Sequence, residues 1–359
     1  MDLNAYIEQG ISSIAAALSN FYISEEINSA FLTALVPTLM EATLKRRELE
    51  ESGKHIPPFL IASIASSCNL RCAGCYARAG GMCAEHPSER ELGTDEWRRV
   101  FSEAEKLGVS FVLLAGGEPL LRRDIIGLAA DFPGMIFPIF TNGTLLDEAY
   151  LELFEKSRNL IPVFSIEGDE VETDLRRGEG VSKDVSSAML ALKSRGILFA
   201  ASVTVTNRNF DAVISEDFLT KLRKSGCGAV FFVEFVPAEP GTKALVLSEA
   251  EEEALNQRLT GFKPEFPDMN ILAFPGDEKY MGGCLAAGRG FFHINPFGAA
   301  EACPFSPFSK MNVKEHSIME ILESKFFEEV RAIGKEGADC HSGGCTLFNR
   351  EDEVRRLLV

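Results

Sequence analysis

From residue 59 onward, short apolar runs alternate with amphipathic stretches that end in glycine. The runs are 59–66, 111–115, 136–140, 161–166, 198–205 and 229–236. Between them, apolar positions recur at helical spacing over about 94–107, 124–131, 145–158, 183–195 and 213–225, with Gly108, Gly196 and Gly226 placed as C-terminal caps. Strands separated by helices predict parallel pairing with right-handed crossovers, because each amphipathic helix must cover a sheet face. The expectation is an α/β fold, an open partial (β/α)6 TIM-like barrel whose active face is the C-terminal end of its strands. Those ends read Ser66-Ser67, Gly116-Gly117-Glu118, Thr141-Asn142-Gly143, Glu167-Gly168 and Glu234.

The pattern differs on either side. Residues 1–56 predict two or three helices, with Ile11, Ile14, Ala15 and Leu18 and then Phe31, Leu32, Leu35 and Leu39 in register, until Pro57-Pro58 stops them. They read as a helical cap on the main domain, with a partner-docking or membrane-surface element as the alternative. After Pro237, Ser248-Glu249-Ala250-Glu251 is a capping box opening a helix to about residue 260. A loop-rich stretch with one strand near Met269 to Phe274 follows. Next come a hairpin turning at Asn295-Pro296-Phe297-Gly298, a helix near 316–333 and a cysteine-bearing tail. The division expected is a helical extension (1–56), a barrel (57–240) and a small C-terminal domain (241–359).

With 46% hydrophobic and 25% charged residues in 359, the chain has ample material for a core. Its net charge of −17 repels phosphate backbones and disfavours nucleic acid. No apolar run reaches the ~18 residues of a transmembrane helix, and MDLNAYIEQG lacks signal-peptide character. A cytoplasmic location is expected, and in that reducing setting nine cysteines point to metal or redox work.

Cys68-Asn-Leu-Arg-Cys72-Ala-Gly-Cys75 places three thiols on the loop after the first strand. Three thiolates can converge on one metal centre and leave a coordination position open. A structural zinc with Cys83 or His86 as fourth ligand is the alternative. The spacing resembles the radical S-adenosylmethionine (SAM) superfamily, in which three such cysteines hold a 4Fe-4S cluster and SAM chelates the open iron. Gly116-Gly117-Glu118-Pro119 is similar to that family's GGEP motif, which accepts from the SAM amino group. Asn142 within Thr-Asn-Gly, Ser165 and Glu167 within Ser-Ile-Glu-Gly, and Arg177 within Arg-Arg-Gly-Glu-Gly match later motifs and are the implied cofactor contacts. The chain departs from the pattern at Gly74, where an aromatic residue often contacts adenine. Tyr76, directly after Cys75, is the candidate for that role.

Cys284, Cys303, Cys340 and Cys345 form a second group. Cys284-Leu-Ala-Ala-Gly, Ile294-Asn-Pro-Phe-Gly and Cys303-Pro304 resemble the related SPASM and twitch C-terminal domains. The resemblance implies a second, auxiliary 4Fe-4S cluster held by those four cysteines. Zinc at the same residues and unpaired buried thiols are the alternatives. Cys83 and Cys227 read as small hydrophobes, and His293 as structural.

The resemblance implies reductive cleavage of SAM to a 5′-deoxyadenosyl radical, hydrogen abstraction from substrate, and a reducing partner such as flavodoxin or ferredoxin. Glu167 and Glu234 are the candidate catalytic carboxylates, with salt bridges to Arg176 or Arg177 as the other reading. An auxiliary cluster suits oxidation, so dehydrogenation or cross-linking of a peptide leads, ahead of a small metabolite, sugar or lipid. An electron-transfer protein that never cleaves SAM is the non-enzymatic alternative.

Overall fold

The computed structural model describes residues 8, 10–12, 14, 16, 29–84, 89–274, 281–336 and 345–359. His86 and Cys340 lie outside the described residues. All six expected β/α strands are present: β1 (Phe59–Ala65), β2 (Phe111–Gly116), β3 (Phe137–Thr141), β4 (Leu160–Ile166), β5 (Phe199–Val205) and β6 (Cys227–Glu234). Three more follow, β7 (Asn270–Phe274), β8 (Phe291–Ile294) and β9 (Ala300–Glu301). They join one sheet in the order β7-β6-β5-β4-β3-β2-β1-β8-β9, parallel throughout except for β9.

The helices follow the sequence punctuation. Helix α1 (Ser29–Glu51) precedes the sheet, and α2 (Thr94–Leu107), α3 (Arg123–Ala129), α4 (Glu148–Lys156), α5 (Glu170–Arg177), α6 (Val181–Ser194) and α7 (Glu216–Lys224) alternate with β1–β6. Side-chain caps start several of them: Asp147 accepts from the Tyr150 N–H at 3.0 Å, Asp169 from the Glu172 N–H at 3.0 Å and Ser215 from the Phe218 N–H at 3.2 Å. The Ser248–Glu251 box opens α8 (Glu249–Glu265), which runs past the expected end and carries Pro264 in its last turn. The helix expected near 316–333 is two, α9 (Ile318–Leu322) and α10 (Lys325–Glu336).

Two consequences of the topology set up the site. First, the sheet does not stop at residue 240. Strand β7 extends it beyond β6, and β8 hydrogen-bonds to β1. Strands β7 and β8 then approach each other across the curled sheet through Phe274 and Phe291, whose ring centroids are 5.6 Å apart. Second, α1 closes the N-terminal end of the barrel. Ile11, Leu35 and Leu39 pack there with Phe111, Ile136, Ile161 and Leu198.

The β1–β8 junction contains a buried polar chain. His293, fully buried, reaches Ser63 Oγ with Nε2 (2.8 Å) and Glu301 Oε2 with Nδ1 (2.8 Å), and Asn295 donates to Glu301 Oε1 (2.7 Å). His293 is thus structural, in keeping with its sequence context. Removing one partner leaves another stranded away from water, which costs about 1–3 kcal/mol. Glu301→Ala is therefore expected to lower the stability of the cluster-free protein by that amount, read as a fall in the thermal or urea midpoint. An unchanged midpoint counts against the junction.

Candidate functional site

The loop from Ser66 to Cys75 carries the first three cysteines and has no secondary structure of its own, so neighbouring strand ends must hold it. The Gly117 N–H donates to Ala65 O (2.7 Å) and the Glu118 N–H to Ser67 O (2.8 Å). This approach needs a bare backbone, since a Cβ on Gly117 would stand 2.1 Å from Ser67 O. At the loop's start, Glu91 Oε1 accepts from both the Ser66 N–H and its hydroxyl (2.6 Å each), and Arg122 braces Glu91 at 2.9 Å. In its middle, Asn142 Nδ2 donates to Asn69 Oδ1 (2.9 Å), while Arg78 donates to Leu70 O (2.7 Å). At its end, the Ala73 N–H donates to Arg176 O (3.0 Å), Arg176 Nε returns to Ala73 O (3.2 Å), and the Gly74 N–H donates to Glu239 Oε2 (2.6 Å).

Glu118 is buried behind this loop. It accepts from the Leu120 N–H (2.9 Å), Thr141 Oγ1 (2.6 Å) and the Asn142 N–H (2.9 Å). Burial pushes its carboxyl up, against the Asn142, Thr141 and Leu120 hydrogen bonds that favour the ionised form. Pro119 follows as the first residue of a short 3-10 turn, where its missing N–H costs nothing.

Glu167 sits between two guanidiniums. Arg177 grips it with Nε and Nη2 at 2.6 and 2.8 Å, and Arg176 Nη1 contacts Oε1. Burial alone would raise this carboxyl, but the charges of Arg177 and then Arg176 hold it below the usual range. The carboxylate is thus a salt-bridge partner of both arginines. Arg177 also lies 4.0 Å from Cys72 Sγ. Ser165, Arg177 and the buried Glu234 line the same cavity as Cys68, Cys72, Cys75 and Glu118.

Gly74 has φ +68°, and a Cβ there would lie 2.7 Å from the Phe235 ring. Phe235 thus occupies the space beside the loop where the family pattern puts an aromatic. The Tyr76 ring instead meets Phe305, centroids 5.0 Å apart, although it too lines the cavity. Burial pushes the Cys68 thiol up to about 11 and raises Cys72 as well, the latter against Arg177 and Arg176. Binding a metal through Cys68 and Cys72 would therefore release their protons.

In the second group, Cys284, Cys303 and Cys345 are all buried. Cys303 is pushed well up, first by burial and then by the neighbouring Cys345 thiol, with Cys284 also close enough to act on it. The Cys284 turn is fixed by Arg289, which donates to Cys284 O (2.6 Å) and Met281 O (2.9 Å), and the Cys284 N–H reaches Gly334 O on α10 (3.2 Å). Among the described residues, no three Cys, His, Asp or Glu side chains stand tightly enough to grip a single metal ion. Zinc would need its donors about 2.0–2.3 Å from one centre, whereas a 4Fe-4S cluster binds each thiolate through a separate iron. Cys83 packs with Ala77 and Met82 against Cys68, Cys75 and Tyr76, and Cys227 is buried in β6.

Sequence reasoning missed Glu91, Glu239 and Phe235. Each acts on the cysteine loop from a distant segment, and none sits in a recognisable motif.

The site is a thiol-rich loop clamped over a buried carboxylate at the mouth of the barrel. Residues 63–214 match the Radical SAM superfamily, so the chain carries a radical SAM domain. The protein is an enzyme, and that domain implies a 4Fe-4S cluster and SAM as its cofactors. The chain is 28% identical to the mycofactocin maturase MftC of Mycolicibacterium smegmatis over 331 residues, 82% of this chain and 79% of the relative. It is 27% identical to the AdoMet-dependent heme synthase of Methanosarcina barkeri over 303 residues, 76% of this chain and 85% of the relative. SuiB of Streptococcus suis, solved bound to precursor peptide SuiA, shares the fold with a TM-score of 0.66 at 18% identity, covering 85% of this chain and 74% of that one. No helix among the described residues is long and apolar enough to cross a membrane.

Two outcomes follow from the geometry. Gly117→Ala is expected to lose iron from the Cys68–Cys75 loop after reconstitution, down toward the content of a variant lacking those three cysteines, because the loop start must move; iron content equal to wild type contradicts the clamp. Because Glu167 is depressed in the folded state, its ion pairs stabilise fully above the ordinary carboxylate value near 4.3 and are lost as pH falls through the lower folded value. Glu167→Ala should thus cost about 3–5 kcal/mol at pH 7. Urea denaturation of the cluster-free protein should show that deficit shrinking below about pH 4.

Proposed function

We propose that this protein is a radical SAM enzyme that oxidatively modifies a peptide or protein, by dehydrogenation or cross-linking. The observation that carries the reading is the Cys68–Cys75 loop, clamped by Gly117 and Arg176 and opening with Glu118 on one cavity of about 820 Å³. When bound, the cluster and SAM supply a 5′-deoxyadenosyl radical that takes a hydrogen atom from the substrate.

The chain's own residues position and exclude. Cys68, Cys72 and Cys75 hold the cluster. Glu118, fixed by three hydrogen bonds, gives the SAM ammonium a rigid acceptor together with the carbonyls of Gly116 and Gly117. Asn142 and Ser165 line the SAM side of the cavity, and Phe235 offers adenine the aromatic wall that Gly74 lacks. Arg177 offsets thiolate charge while tied to Glu167. Glu234, at the end of β6, is the carboxylate placed to orient substrate or accept a proton.

Cys284, Cys303, Cys340 and Cys345 would hold an auxiliary cluster in this reading, and such a cluster would supply the electron acceptor that an oxidative outcome requires. The functional division is the helical cap (1–56), the radical SAM barrel (57–240) and the auxiliary-cluster region (241–359). A flavodoxin or ferredoxin supplies reducing electrons in the cytoplasm.

The names of MftC as a maturase and of SuiB's partner as a precursor peptide support peptide chemistry. The name of the heme synthase relative supports a small molecule instead. A small acid would find Arg176 and Arg177 on the cavity wall already paired with Glu167.

Anaerobic incubation with SAM and dithionite should yield 5′-deoxyadenosine above a cluster-free control. The Cys68, Cys72 and Cys75 triple alanine variant should lose that activity and still retain about four irons. Retention of none, or of zinc alone, removes the auxiliary cluster from the scheme.

A further inference from the structure

A closed β/α barrel fills its interior with layers of its own side chains, and this one does not. On β1, β2, β3 and β6 the outward-facing Leu60, Val112, Ile139 and Val230 are fully buried beneath helices. The inward-facing Ile61, Leu113, Phe140, Phe231 and Val233 stay partly accessible around the cavity. The order of burial is the reverse of a filled barrel. The hollow runs from Cys72 and Cys75 at the strand ends down to Ile136, Ile161 and Leu198 at the strand starts, where Ile14 lies across it.

Small residues keep its wall set back. Ala200 and Ala229 face each other in register on β5 and β6. One step higher, Phe231 pairs with Ser202, and Ser202 with Ser165, so Phe231 shares a row with the residues beside the SAM site. Phe140, on β3, meets Phe231 across the barrel with ring centroids 5.5 Å apart. The two rings form a collar between the polar mouth and the apolar shaft.

The charges on the wall lie away from the shaft: Glu118, Glu234, Arg176 and Arg177 stand at the polar mouth, where Glu118 takes three hydrogen bonds and the two arginines hold Glu167, and Lys263 is exposed on α8. Below the collar Ile61, Leu113, Ile136, Ile161 and Leu198 carry no charge, so a charged substrate group buried there would shed its water with no counterion beside it. An apolar group would cover surface that the fold leaves uncovered.

We propose that the barrel hollow seats an uncharged aromatic or branched aliphatic side chain of the substrate, packed against the Phe140–Phe231 collar beneath the SAM site. This rests on the radical SAM reading and on peptide as the substrate class, and it adds which side chain reaches the centre. The collar sets the depth of that side chain, and the paired alanines set how wide it can be.

The test uses reconstituted holoenzyme with SAM and four probes, the N-acetyl amides of phenylalanine, leucine, aspartate and lysine, with binding read by saturation-transfer NMR. The phenylalanine and leucine probes should bind and the charged pair should not. Ala200→Phe fills the shaft and should weaken phenylalanine-probe binding at least tenfold without lowering the thermal midpoint. Should that variant fail to fold, Ala229→Leu makes the same measurement. Equal binding of the aspartate or lysine probe, no binding of the apolar ones, or full binding in the filled variant overturns the proposal. Formation of 5′-deoxyadenosine by wild type under dithionite is scored separately, so a failure of the radical SAM reading is distinguishable from a failure of the shaft.

Discussion

The approach of β2 to β1 at their C-terminal ends is the constraint on which the site depends. The cysteine loop has no ladder of its own, and its first fixed points are the two backbone hydrogen bonds from Gly117 and Glu118 to Ala65 and Ser67. That contact can form only because no side chain projects from Gly117. Once made, it aims Glu118 inward, where Thr141 and Asn142 of the next strand end take hold of it. Asn142 in turn reaches back to Asn69 in the loop. Three consecutive strand ends are thereby tied to one short segment, and the positions of the thiols follow from the sheet.

Charge balance is the second organising principle. A net charge of −17 would make a buried, thiol-rich centre hard to assemble if carboxylates faced it unpaired. The structure answers locally: Arg177 and Arg176 share Glu167, and Arg177 extends toward Cys72. Arg176 serves twice, through its side chain on Glu167 and through its backbone on Ala73. Loss of α5's last turn would loosen both the charge pair and the loop.

Features written in contiguous residues are legible in the amino-acid sequence. The cysteine spacings, the Gly-Gly-Glu-Pro turn and the glycines that end helices are such features, and Gly108, Gly196 and Gly226 do adopt positive φ. Helix α5 is poorly legible because it is short and mostly charged, and its one apolar pair at helical spacing, Val171 and Leu175, is exposed while Thr173 is buried, so the sequence points to the wrong face as the packed one. Glu91 and Glu239 are not legible because they reach the loop across 25 and 165 residues of chain and look like any surface acid. The continuation of the sheet into β7 and β8 is hidden for the same reason, since strand partners separated by a whole domain leave no local trace. The 27 phenylalanines foreshadow the hollow interior, but only strand register tells an inward ring from an outward one.

The pairing of β8 with β1 carries a consequence for how the chain is made. Strand β1 gains its second neighbour only when residues 291–294 arrive, more than 220 residues after β1 itself emerges from synthesis. Until then its outer edge is a row of unpaired backbone groups, followed at once by three reactive thiols. The nascent barrel thus passes through a period in which its most oxidation-sensitive segment borders its most adhesive edge. Efficient production then rests on how quickly the C-terminal region returns to cover both.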